Sequence, residues 1–507
     1  MIRSLFYYVF IALTVLPGCT GSQPEQPNII LILADDLGYG DTGPYGQTLI
    51  ETPNVDGLAA GGLRFTQHYA GSPVCAPSRC VLLTGMHTGH SQVRGNDEWA
   101  SRGDVWNYRA MIADSTLEGQ KPLSDSTVTI ASLLKQKGYR TGIVGKWGLG
   151  APHTGGIPNR QGFDFFYGYN CQRMAHTYYP THLWRNGSRE WLGNDTLAPH
   201  TGLDPDADPF DPASYEKFTL SDYSPDLMFR EVLSFIDSAN GEPFFLYWAT
   251  PIPHLALQAP AQWVEKYHEK FGGEKPYTGD NGYFPARYPH ATYAAMISYL
   301  DDQVGKLVDH LKEKGLYENT VIIFTSDNGP AWNAGTDPVW FGSASPFRGA
   351  QGYGKGSLNE GGIRVPMIVS WPGTVKPGIT DHISSFQDLL PTLCDITAAE
   401  VPGGIDGISF GPLLRGEKVQ EQHQYLYWEF PEYGGQQAVI IGNFKALRKG
   451  MHNGNEVFEL YDLANDPLET KDISADHPDI MKRVQEIIIE EHRPSDNPRW
   501  RFSLLDN

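Results

Sequence analysis

The stretch SPVCAPSRCVLLTG, residues 72–85, places a thiol where a helix is expected to begin. Cys75 lies two residues before Pro77 and four before Arg79, and the apolar run VLLTG follows. Such a cysteine can be a structural residue, a thiol nucleophile, or a side chain that is converted into another group. A thiol nucleophile needs a histidine-type base beside it, and none is identifiable nearby. The other residues of the chain must decide between these roles.

Acidic and amide side chains follow two short apolar runs. Asp35 and Asp36 come after NIILILA, and Asp327 and Asn328 come after TVIIFTS. Three carboxylates and one amide offer only oxygen ligands, which suits Ca²⁺ or Mg²⁺ and not zinc. A lone Asp-Asp pair is usually a turn or a helix cap. Two pairs at the ends of two predicted strands favour a metal site.

Cationic side chains form a second group of candidates. They are Arg79, Lys146 after RTGIVG, His254 after PFFLYWAT, and Lys355 in the glycine-rich stretch GKGSLNEGGIRVP. Each of them alone is typical of a solvated surface charge. Together with a divalent ion they would hold a tetrahedral oxyanion such as sulfate or phosphate. Because the net charge is −20, an anionic substrate requires such a local positive island.

The elements that must position these residues are strands that alternate with helices. Helical spacing followed by glycine predicts helices over 127–137 and 292–314. Apolar, unalternating runs predict strands buried on both faces over 28–34, 140–145, 243–250 and 320–326. Together they predict an α/β fold, a mostly parallel mixed sheet sandwiched by helices. Ligands bind at the carboxyl ends of such strands, so the polar residues are expected to meet there.

The C-terminal part has a different pattern. QYLYWEF, AVIIGNFKALRK and EVFELYDL, between residues 424 and 463, are close-spaced strand candidates, and a helix is expected near 478–491. They predict a small antiparallel sheet with a helix. We therefore divide the chain into a signal peptide, a tether, a catalytic domain and a C-terminal subdomain, at residues 1–18, 19–26, 27–415 and 416–507.

The first residues are typical of an export signal. Arg3 precedes an apolar segment, residues 5–16, that is too short to span a bilayer. Leu16-Pro17-Gly18-Cys19 resembles the lipobox of bacterial lipoproteins. It predicts a lipid on Cys19 and a protein anchored in the bacterial cell envelope, in the periplasm or at the cell surface. The alternative is an ordinary signal peptide with a chance cysteine.

Composition excludes several classes of function. Hydrophobic residues make up 40% and charged residues 19%, as in an ordinary globular protein. The acidic balance argues against nucleic acid or an anionic membrane surface as the partner. The cysteines beyond the N-terminal segment form neither a disulfide framework nor a CxxC zinc pair. Cys80, Cys171 and Cys394 are expected to pack as small apolar residues.

Six blocks of this sequence resemble the type I sulfatases of the alkaline phosphatase superfamily. Cys75-Ala76-Pro77-Ser78-Arg79 with Leu82-Leu83-Thr84-Gly85 matches their signature. The other similar blocks are PNIILILADDLGYGD, GYRTGIVGKW, FTSDNG, KGSLNEGGIRVPMIVSWPG and LYDLANDPLE, in family order over roughly residues 27–472. The resemblance implies an alkaline-phosphatase-like fold and a sulfuric ester hydrolase.

The resemblance also implies what becomes of Cys75. In the family this cysteine is converted to Cα-formylglycine, by a formylglycine-generating enzyme or a radical sulfatase-maturing enzyme. The hydrated aldehyde is a diol that attacks sulfur with one hydroxyl and expels sulfate through the other. A serine would instead leave a stable sulfated enzyme.

Further roles follow from the resemblance, residue by residue. Asp35, Asp36, Asp327 and Asn328 resemble the Ca²⁺ ligands, and the modified Cys75 completes their shell. Asp327 would also be the base for the attacking hydroxyl. Arg79 would support the nucleophile, and Lys146 and Lys355 would bind the sulfate. His254 would protonate the departing sugar oxygen.

One position departs from the family pattern. Many sulfatases read GKWHLG, where the histidine can deprotonate the second hydroxyl, but this chain reads GKWGLG with Gly148 at that place. Gly148 has no side chain for the task. The base for the second step therefore stays open among Lys146, His153 and His176.

Residues 161–187, QGFDFFYGYNCQRMAHTYYPTHLWRNG, are dense in aromatic side chains. Arg173, His176 and His182 among them are candidates for binding sugar rings and hydroxyls, although the aromatics can equally pack under a long loop. A lipid-anchored enzyme of the bacterial envelope suggests a sulfated polysaccharide or oligosaccharide as substrate, and galactose-based glycans are one such class. Two alternatives are a phosphodiesterase or phosphonate monoester hydrolase of the same superfamily, and an inactive surface glycan-binding lipoprotein.

Overall fold

A computed structural model of the protein describes residues 26–506. The strands of this part are β1 (Asn28–Ala34), β2 (Leu63–Phe65), β3 (His68–Tyr69), β4 (Arg140–Lys146), β5 (Phe165–Tyr169), β6 (His182–Arg185), β7 (Ser188–Trp191), β8 (Phe244–Ala249), β9 (Thr320–Ser326), β10 (Met367–Ser370), β11 (Gly378–Thr380), β12 (Ser384–Ser385), β13 (Leu426–Phe430), β14 (Gln436–Ile441), β15 (Phe444–Lys449) and β16 (Glu459–Asp462). Its α-helices are α1 (Pro53–Ala60), α2 (Cys75–Thr84), α3 (Tyr108–Ala113), α4 (Ile130–Gln136), α5 (Ser224–Asp237), α6 (Ala261–Phe271), α7 (Pro289–Glu313), α8 (Glu360–Ile363), α9 (Leu389–Thr397), α10 (Gly411–Leu414) and α11 (Pro478–Glu491).

Ten strands form one mixed sheet in the order β11-β2-β10-β9-β1-β8-β4-β5-β6-β7. Its centre, from β9 to β5, is parallel, and the adjoining strands β10 and β6 run antiparallel to it. The four strands predicted from apolar runs, now β1, β4, β8 and β9, are neighbours in this centre. The predicted mostly parallel mixed sheet is confirmed.

Alternate side chains of β1 enter two different hydrophobic cores. Ile30 and Ile32 belong to the core that also contains side chains of α5, α6 and α7. Ile29 and Leu31 belong to the core on the opposite face, with side chains of α2, α4 and α9. A strand covered by helices on both faces has no exposed side for polar residues, which explains its continuous apolar run.

Helix ends differ by a few residues from the predicted ones, for local reasons. α4 begins at Ile130 because Thr129 caps it: Thr129 Oγ1 accepts from the Ser132 N–H at 3.1 Å, and Ser132 Oγ accepts from the Thr129 N–H at 3.0 Å. α7 begins earlier than expected, at Pro289, whose fixed φ suits the first helical position.

The C-terminal strands form a four-stranded antiparallel sheet in the order β13-β14-β15-β16. The run AVIIGNFKALRK is two strands, because the chain turns at Gly442 with a φ of 56° and pairs β14 with β15; its treatment as one strand candidate was wrong. The sheet packs on the larger part, where Trp428 Nε1 donates to the Ala70 carbonyl at 3.0 Å. The predicted antiparallel sheet with a C-terminal helix is confirmed.

The N-terminal predictions concern residues that the structure does not describe. The signal peptide, Cys19 and the tether up to residue 25 lie outside residues 26–506. Within the described part, each helix is either too short or too polar to cross a bilayer.

Candidate active site

Cys75 is the first residue of α2, and its side chain is buried. Pro77 lies in the first helical turn, where a missing N–H leaves no helical hydrogen bond unmade. The Cys75 sulfur is 3.4 Å from Asp35 Oδ1, 3.4 Å from Lys146 Nζ and 3.6 Å from Lys355 Nζ. Residues from three separate parts of the sequence therefore meet at this sulfur, as the sequence predicts.

Oxygen-bearing side chains gather beside the sulfur because β1 and β9 are neighbouring parallel strands. Ala34 pairs with Ser326 at the ends of the two strands, so the residues that follow lie together. The Asp36 N–H donates to Asp327 Oδ1 at 3.2 Å, and Asn328 Nδ2 donates to Asp36 Oδ1 at 2.8 Å. All four predicted oxygen ligands are buried: Asp35, Asp36, Asp327 and Asn328.

This donor set fits a hard divalent cation. One ligand atom from each of Asp35, Asp36, Cys75 and His254 lies within 4.8 Å of the others. The buried Asn328 Oδ1 has no hydrogen-bond partner within the described part of the chain. An orphaned carbonyl oxygen in the interior costs free energy unless a ligand occupies it. Carboxylate and amide oxygens in this number match Ca²⁺ or Mg²⁺.

Two lysines neutralise the first two aspartates. Lys146 Nζ lies 2.6 Å from Asp35 Oδ2, and Lys355 Nζ lies 2.7 Å from Asp36 Oδ1. Lys146 is fully buried, and Lys355 is largely so. A buried ammonium group needs a negative partner. If a metal ion takes up the charge of the carboxylates, the two lysines can therefore bind an anion instead.

Arg79 lies one turn after Cys75 on α2 and binds the third aspartate. Its Nε and Nη2 both donate to Asp327 Oδ2, at 3.0 and 2.8 Å, and its Nη2 is 3.2 Å from Asp35 Oδ2. Its Nη1 donates to the Lys146 carbonyl at 2.6 Å. The planar guanidinium thus ties α2 to the ends of three strands.

The three carboxyl groups differ in proton affinity. Burial raises the pKa of Asp36, and burial together with the charge of Asp35 raises the pKa of Asp327 to about 6. Burial acts in the same direction on Asp35, but the charge of Lys146, with other nearby cations, outweighs it and lowers the pKa of Asp35. Asp35 is therefore a permanent anion, whereas Asp327 can exchange a proton near neutral pH.

His254 follows β8 and lies against the same cluster. Its Nδ1 is 2.5 Å from the Leu255 carbonyl oxygen, which can only accept, so Nδ1 carries the proton. Its Nε2 faces Asp36 Oδ2 at 3.8 Å. Burial and the charges of Lys146 and Lys355 hold the pKa of His254 well below its ordinary value. The imidazole is therefore neutral, with the Nε2 lone pair directed into the site.

Two of the three substrate-binding candidates are paired with carboxylates instead. Arg173 Nε lies 2.5 Å from Glu98 Oε2, and His182 Nε2 lies 3.0 Å from Glu118 Oε2. Both side chains are buried, and neither has a hydrogen bond or ion pair with a residue of the Cys75 cluster in the described chain. The structure therefore does not bring Arg173 and His182 into this cluster.

The structure places two of the three candidates for the base of the second step near Cys75 and the third one elsewhere. His176 stacks on His254 with ring centroids 5.5 Å apart, and Lys146 contacts the Cys75 sulfur. His153 lies on the exposed surface, with its Nε2 3.4 Å from Ser115 Oγ. Lys146 and His176 are therefore at the site.

The space beside Gly148 is occupied by the side chains of two glutamines. The φ of Gly148 is +83°, and a Cβ there would stand 2.3 Å from Gln172 Nε2 and 2.9 Å from Gln120 Oε1. The positive φ would strain any larger residue here, and the two glutamine side chains would have to move aside for it. The amides of Gln172 and Gln120 thus occupy the space next to Gly148.

Three residues at or beside the site were not found from the sequence. Asn96 Oδ1 accepts from the Ala76 N–H at 3.1 Å, next to Cys75. His200 and Tyr283 surround His176, with centroid distances of 5.1 and 4.9 Å. All three come from loops without a recognisable motif.

Comparison with known proteins agrees with this geometry. The family described as Sulfatase matches residues 27–399, and the family described as N-sulphoglucosamine sulphohydrolase, C-terminal, matches residues 350–493. Arylsulfatase A of Homo sapiens is 32% identical and covers 94% of this chain and 89% of its own. An N-acetylgalactosamine-6-O-sulfatase of Bacteroides thetaiotaomicron is 28% identical and covers 94% of this chain and 96% of its own.

A solved structure extends the likeness to three dimensions. The crystal structure of Ps i-CgsB in complex with k-i-k-neocarrahexaose superposes with a TM-score of 0.71 and 28% identity. The superposition covers 92% of this chain and 93% of the other.

Proposed function

We propose that this chain, which belongs to the sulfatase family, removes sulfate from a sulfated carbohydrate through a formylglycine made from Cys75 and a bound calcium ion. The observation that carries the proposal is the position of Cys75. Its sulfur contacts Asp35, Lys146 and Lys355 within 3.6 Å, between the metal-binding oxygens and the anion-binding ammonium groups. Any group formed on this side chain stands where a sulfate ester would bind.

An unmodified thiol is poorly suited to this place. Burial, followed by the charge of Asp35, raises the pKa of Cys75 well above its ordinary value, so the thiolate is not available near neutral pH. Formylglycine, once formed and hydrated, supplies one hydroxyl that attacks sulfur and a second whose deprotonation releases sulfate. This chemistry supports conversion of Cys75 over the thiol and structural roles.

Calcium would be held by Asp35, Asp36, Asp327 and the unpartnered Asn328 Oδ1. When bound, it polarises oxygens of the sulfate ester. With the carboxylates engaged in this way, the ammonium groups of Lys146 and Lys355 are free to bind the remaining sulfate oxygens.

Two residues are placed to move protons. Asp327, whose Oδ2 accepts hydrogen bonds from Arg79, is placed to accept a proton from the attacking hydroxyl. His254 directs Nε2 into the site. The negative charge of a bound sulfate ester offsets the two lysines and so favours protonation of His254, which then donates to the departing sugar oxygen.

The proposal extends to the substrate, the maturation enzyme and the location of the protein. We infer a sulfated polysaccharide or oligosaccharide as substrate, because two of the similar proteins act on or bind sugars according to their names. Activation would require a formylglycine-generating or radical sulfatase-maturing enzyme. A lipid on Cys19 would keep the protein in the bacterial cell envelope.

The first test measures free sulfate released from a panel of sulfated sugars and oligosaccharides. The panel includes galactose 6-sulfate and N-acetylgalactosamine 6-sulfate, and mass spectrometry of the Cys75 peptide accompanies each preparation. We expect release by protein with the aldehyde mass and only background release by Cys75→Ala. Cys80→Ala, which removes another buried thiol of α2, is the matched control and should retain the activity.

The two other interpretations give different results in this test. A phosphodiesterase or phosphonate hydrolase would cleave phosphate or phosphonate esters in preference to matched aryl sulfates. A glycan-binding lipoprotein would carry an unmodified Cys75 and bind sugars equally well as Cys75→Ala. Aldehyde-bearing protein that releases no sulfate from any substrate would contradict the proposed function.

A further inference from the structure

Three histidines form a series that runs from the buried site to the surface. His254 is 3% exposed, His176 is half-buried and His200 is exposed. The rings of His176 and His254 are stacked, 5.5 Å apart at an interplanar angle of 19°. His176 Nδ1 lies 3.0 Å from His200 Nε2. His176 is therefore one ring further out than His254 from the buried carboxylates.

The hydrogen bonds of this series assign a proton to each ring. The backbone N–H of Tyr283 donates to His200 Nδ1 at 2.8 Å, so this nitrogen has no proton of its own. Neutral His200 must carry its proton on Nε2 and donate it to His176 Nδ1. His176 Nδ1 is therefore an acceptor, and the proton of neutral His176 is on Nε2.

The two stacked rings consequently present opposite groups. His254 has its proton on Nδ1, bound to the Leu255 carbonyl, and directs a lone pair from Nε2. His176 directs an N–H from Nε2, which has no hydrogen-bond partner within the described residues. Burial and nearby positive charges lower the pKa of His176 well below its ordinary value, which keeps this single-proton form at neutral pH.

The loops that hold His200 adopt unfavourable backbone conformations. His200 has a φ of 69° and Tyr283 a φ of 61°, both in the left-handed region that residues other than glycine seldom enter. These two residues are also the ones that make the hydrogen bond at the start of the series. Such strain persists where the surrounding structure imposes it, most often near functional sites.

We propose that His176 is a specificity-determining residue that donates its Nε2 hydrogen to a hydroxyl of the sulfated sugar, and that His200 is the positioning residue that fixes this tautomer. The proposal rests on the proposed sulfatase function of the Cys75 site. A sugar hydroxyl fits better than a sulfate oxygen, because the sulfate would bind among the buried lysines and carboxylates and His176 stands one ring outward of His254. A fixed N–H donor selects an acceptor oxygen at that place.

The test compares two substrates that differ in having sugar hydroxyls. In His176→Phe, which keeps an aromatic ring against His254, we expect kcat/KM for N-acetylgalactosamine 6-sulfate to fall about tenfold or more, because a hydrogen bond is lost. The loss for 4-nitrophenyl sulfate should be much smaller. His176→Gln keeps an N–H near the Nε2 position and should recover most of the sugar activity. Equal losses on both substrates in His176→Phe would overturn the assignment.

A matched pair at position 200 tests the positioning role. The amide of His200→Gln reaches the Nε2 position and can donate to His176, whereas the shorter amide of His200→Asn cannot. We expect His200→Asn to lower sugar turnover as His176→Phe does, and His200→Gln to retain it. His310→Gln, at a surface histidine 2.9 Å from Asp237, controls for loss of an imidazole. Equal activity of the two position-200 variants would contradict the proposal.

The tautomer itself can be measured without any substrate. Long-range ¹H–¹⁵N spectra of histidine-labelled protein should show His176 protonated on Nε2 and unprotonated on Nδ1, with His176→Gln providing the assignment. His200→Asn should disturb this pattern and His200→Gln should preserve it. A proton on Nδ1 of His176 would overturn the inference even if sulfate release succeeds. Conversely, aldehyde-bearing protein that releases no sulfate from any member of the panel, but shows the expected spectrum, would reject the proposed function and leave the tautomer established.

Discussion

The two polar atoms of the Asn328 amide differ in their hydrogen bonding. Its Nδ2 donates to Asp36 Oδ1 at 2.8 Å and to the Gly329 carbonyl at 2.9 Å, so the donor side of the amide is satisfied. Its Oδ1 is buried and has no hydrogen-bond partner within residues 26–506. Leaving such an acceptor unpaired costs about 1–3 kcal/mol, which a bound cation would recover.

Removing this oxygen should weaken calcium binding. In Asn328→Ala we expect the dissociation constant for Ca²⁺ to rise roughly 10- to 100-fold, since one ligand is lost from a small set. The measurement is the calcium-dependent rise in melting temperature, which follows the ratio of ligand concentration to dissociation constant. Asn443→Ala, in the exposed turn between β14 and β15, is the control and should respond to calcium as the wild type does. The same calcium response in Asn328→Ala would argue against Asn328 as a ligand.

At the scale of elements, the start of α2 depends on a residue that is distant in sequence. The residue before the helix is Val74, whose side chain cannot accept a hydrogen bond from the first turn. Asn96 supplies this acceptor from a separate loop, to the N–H of Ala76 at 3.1 Å. The backbone that carries Cys75 is therefore held by Asn96.

Loss of this acceptor should lower the rate of sulfate release by more than the accompanying loss of stability explains. Asn96→Ala and Asn107→Ala each remove an amide that accepts from a first-turn N–H, Asn107 at the start of α3 at 3.1 Å from the Ala110 nitrogen. Both are expected to lower the free energy of unfolding by about 1 kcal/mol. Only Asn96→Ala should also lower kcat for sulfate release, because only it moves Cys75. Chemical denaturation and sulfate release check this, and equal activities of the two variants would contradict it.

The positions of site residues at strand ends can be predicted from the sequence better than the positions of site residues in loops. Asp35 and Asp327 could be placed together because carboxyl ends of parallel strands share one edge of a sheet. Arg173 and His182 could not be placed from residue type, since their partners Glu98 and Glu118 come from another loop. The hydrogen bonds that join Tyr283, His200 and His176 are likewise made between three loops, each without a motif. The apolar pattern alone was enough to predict the central strands. It was not enough to predict the turn at Gly442, because the residues on both sides of that turn are apolar.

At the scale of the whole molecule, a polar cluster joins the C-terminal helix to the catalytic part. His87 Nε2 lies 3.0 Å from Glu491 Oε2 on α11, and His90 Nδ1 lies 2.8 Å from Asp406 Oδ1. These four side chains could hold a metal by proximity. However, the Gly89 N–H donates to His87 Nδ1 at 3.1 Å, which places the imidazole proton on Nε2 and directs it to Glu491. The cluster is therefore a hydrogen-bonded joint between the two parts.

This joint should make stability depend on acid pH. The hydrogen bond from His87 lowers the pKa of Glu491 from 4.5 to about 2 in the folded protein. A lowered carboxyl pKa stabilises the fold fully above the unfolded value and loses this effect as the pH falls from about 4.5 towards 2. The melting temperature of the wild type should therefore exceed that of Glu491→Gln near pH 6, and the difference should shrink towards pH 3. Glu490→Gln, at the exposed neighbouring position, controls for the removal of a carboxylate from α11. A pH-independent difference for Glu491→Gln would mean that the charge of Glu491 does not hold α11 in place.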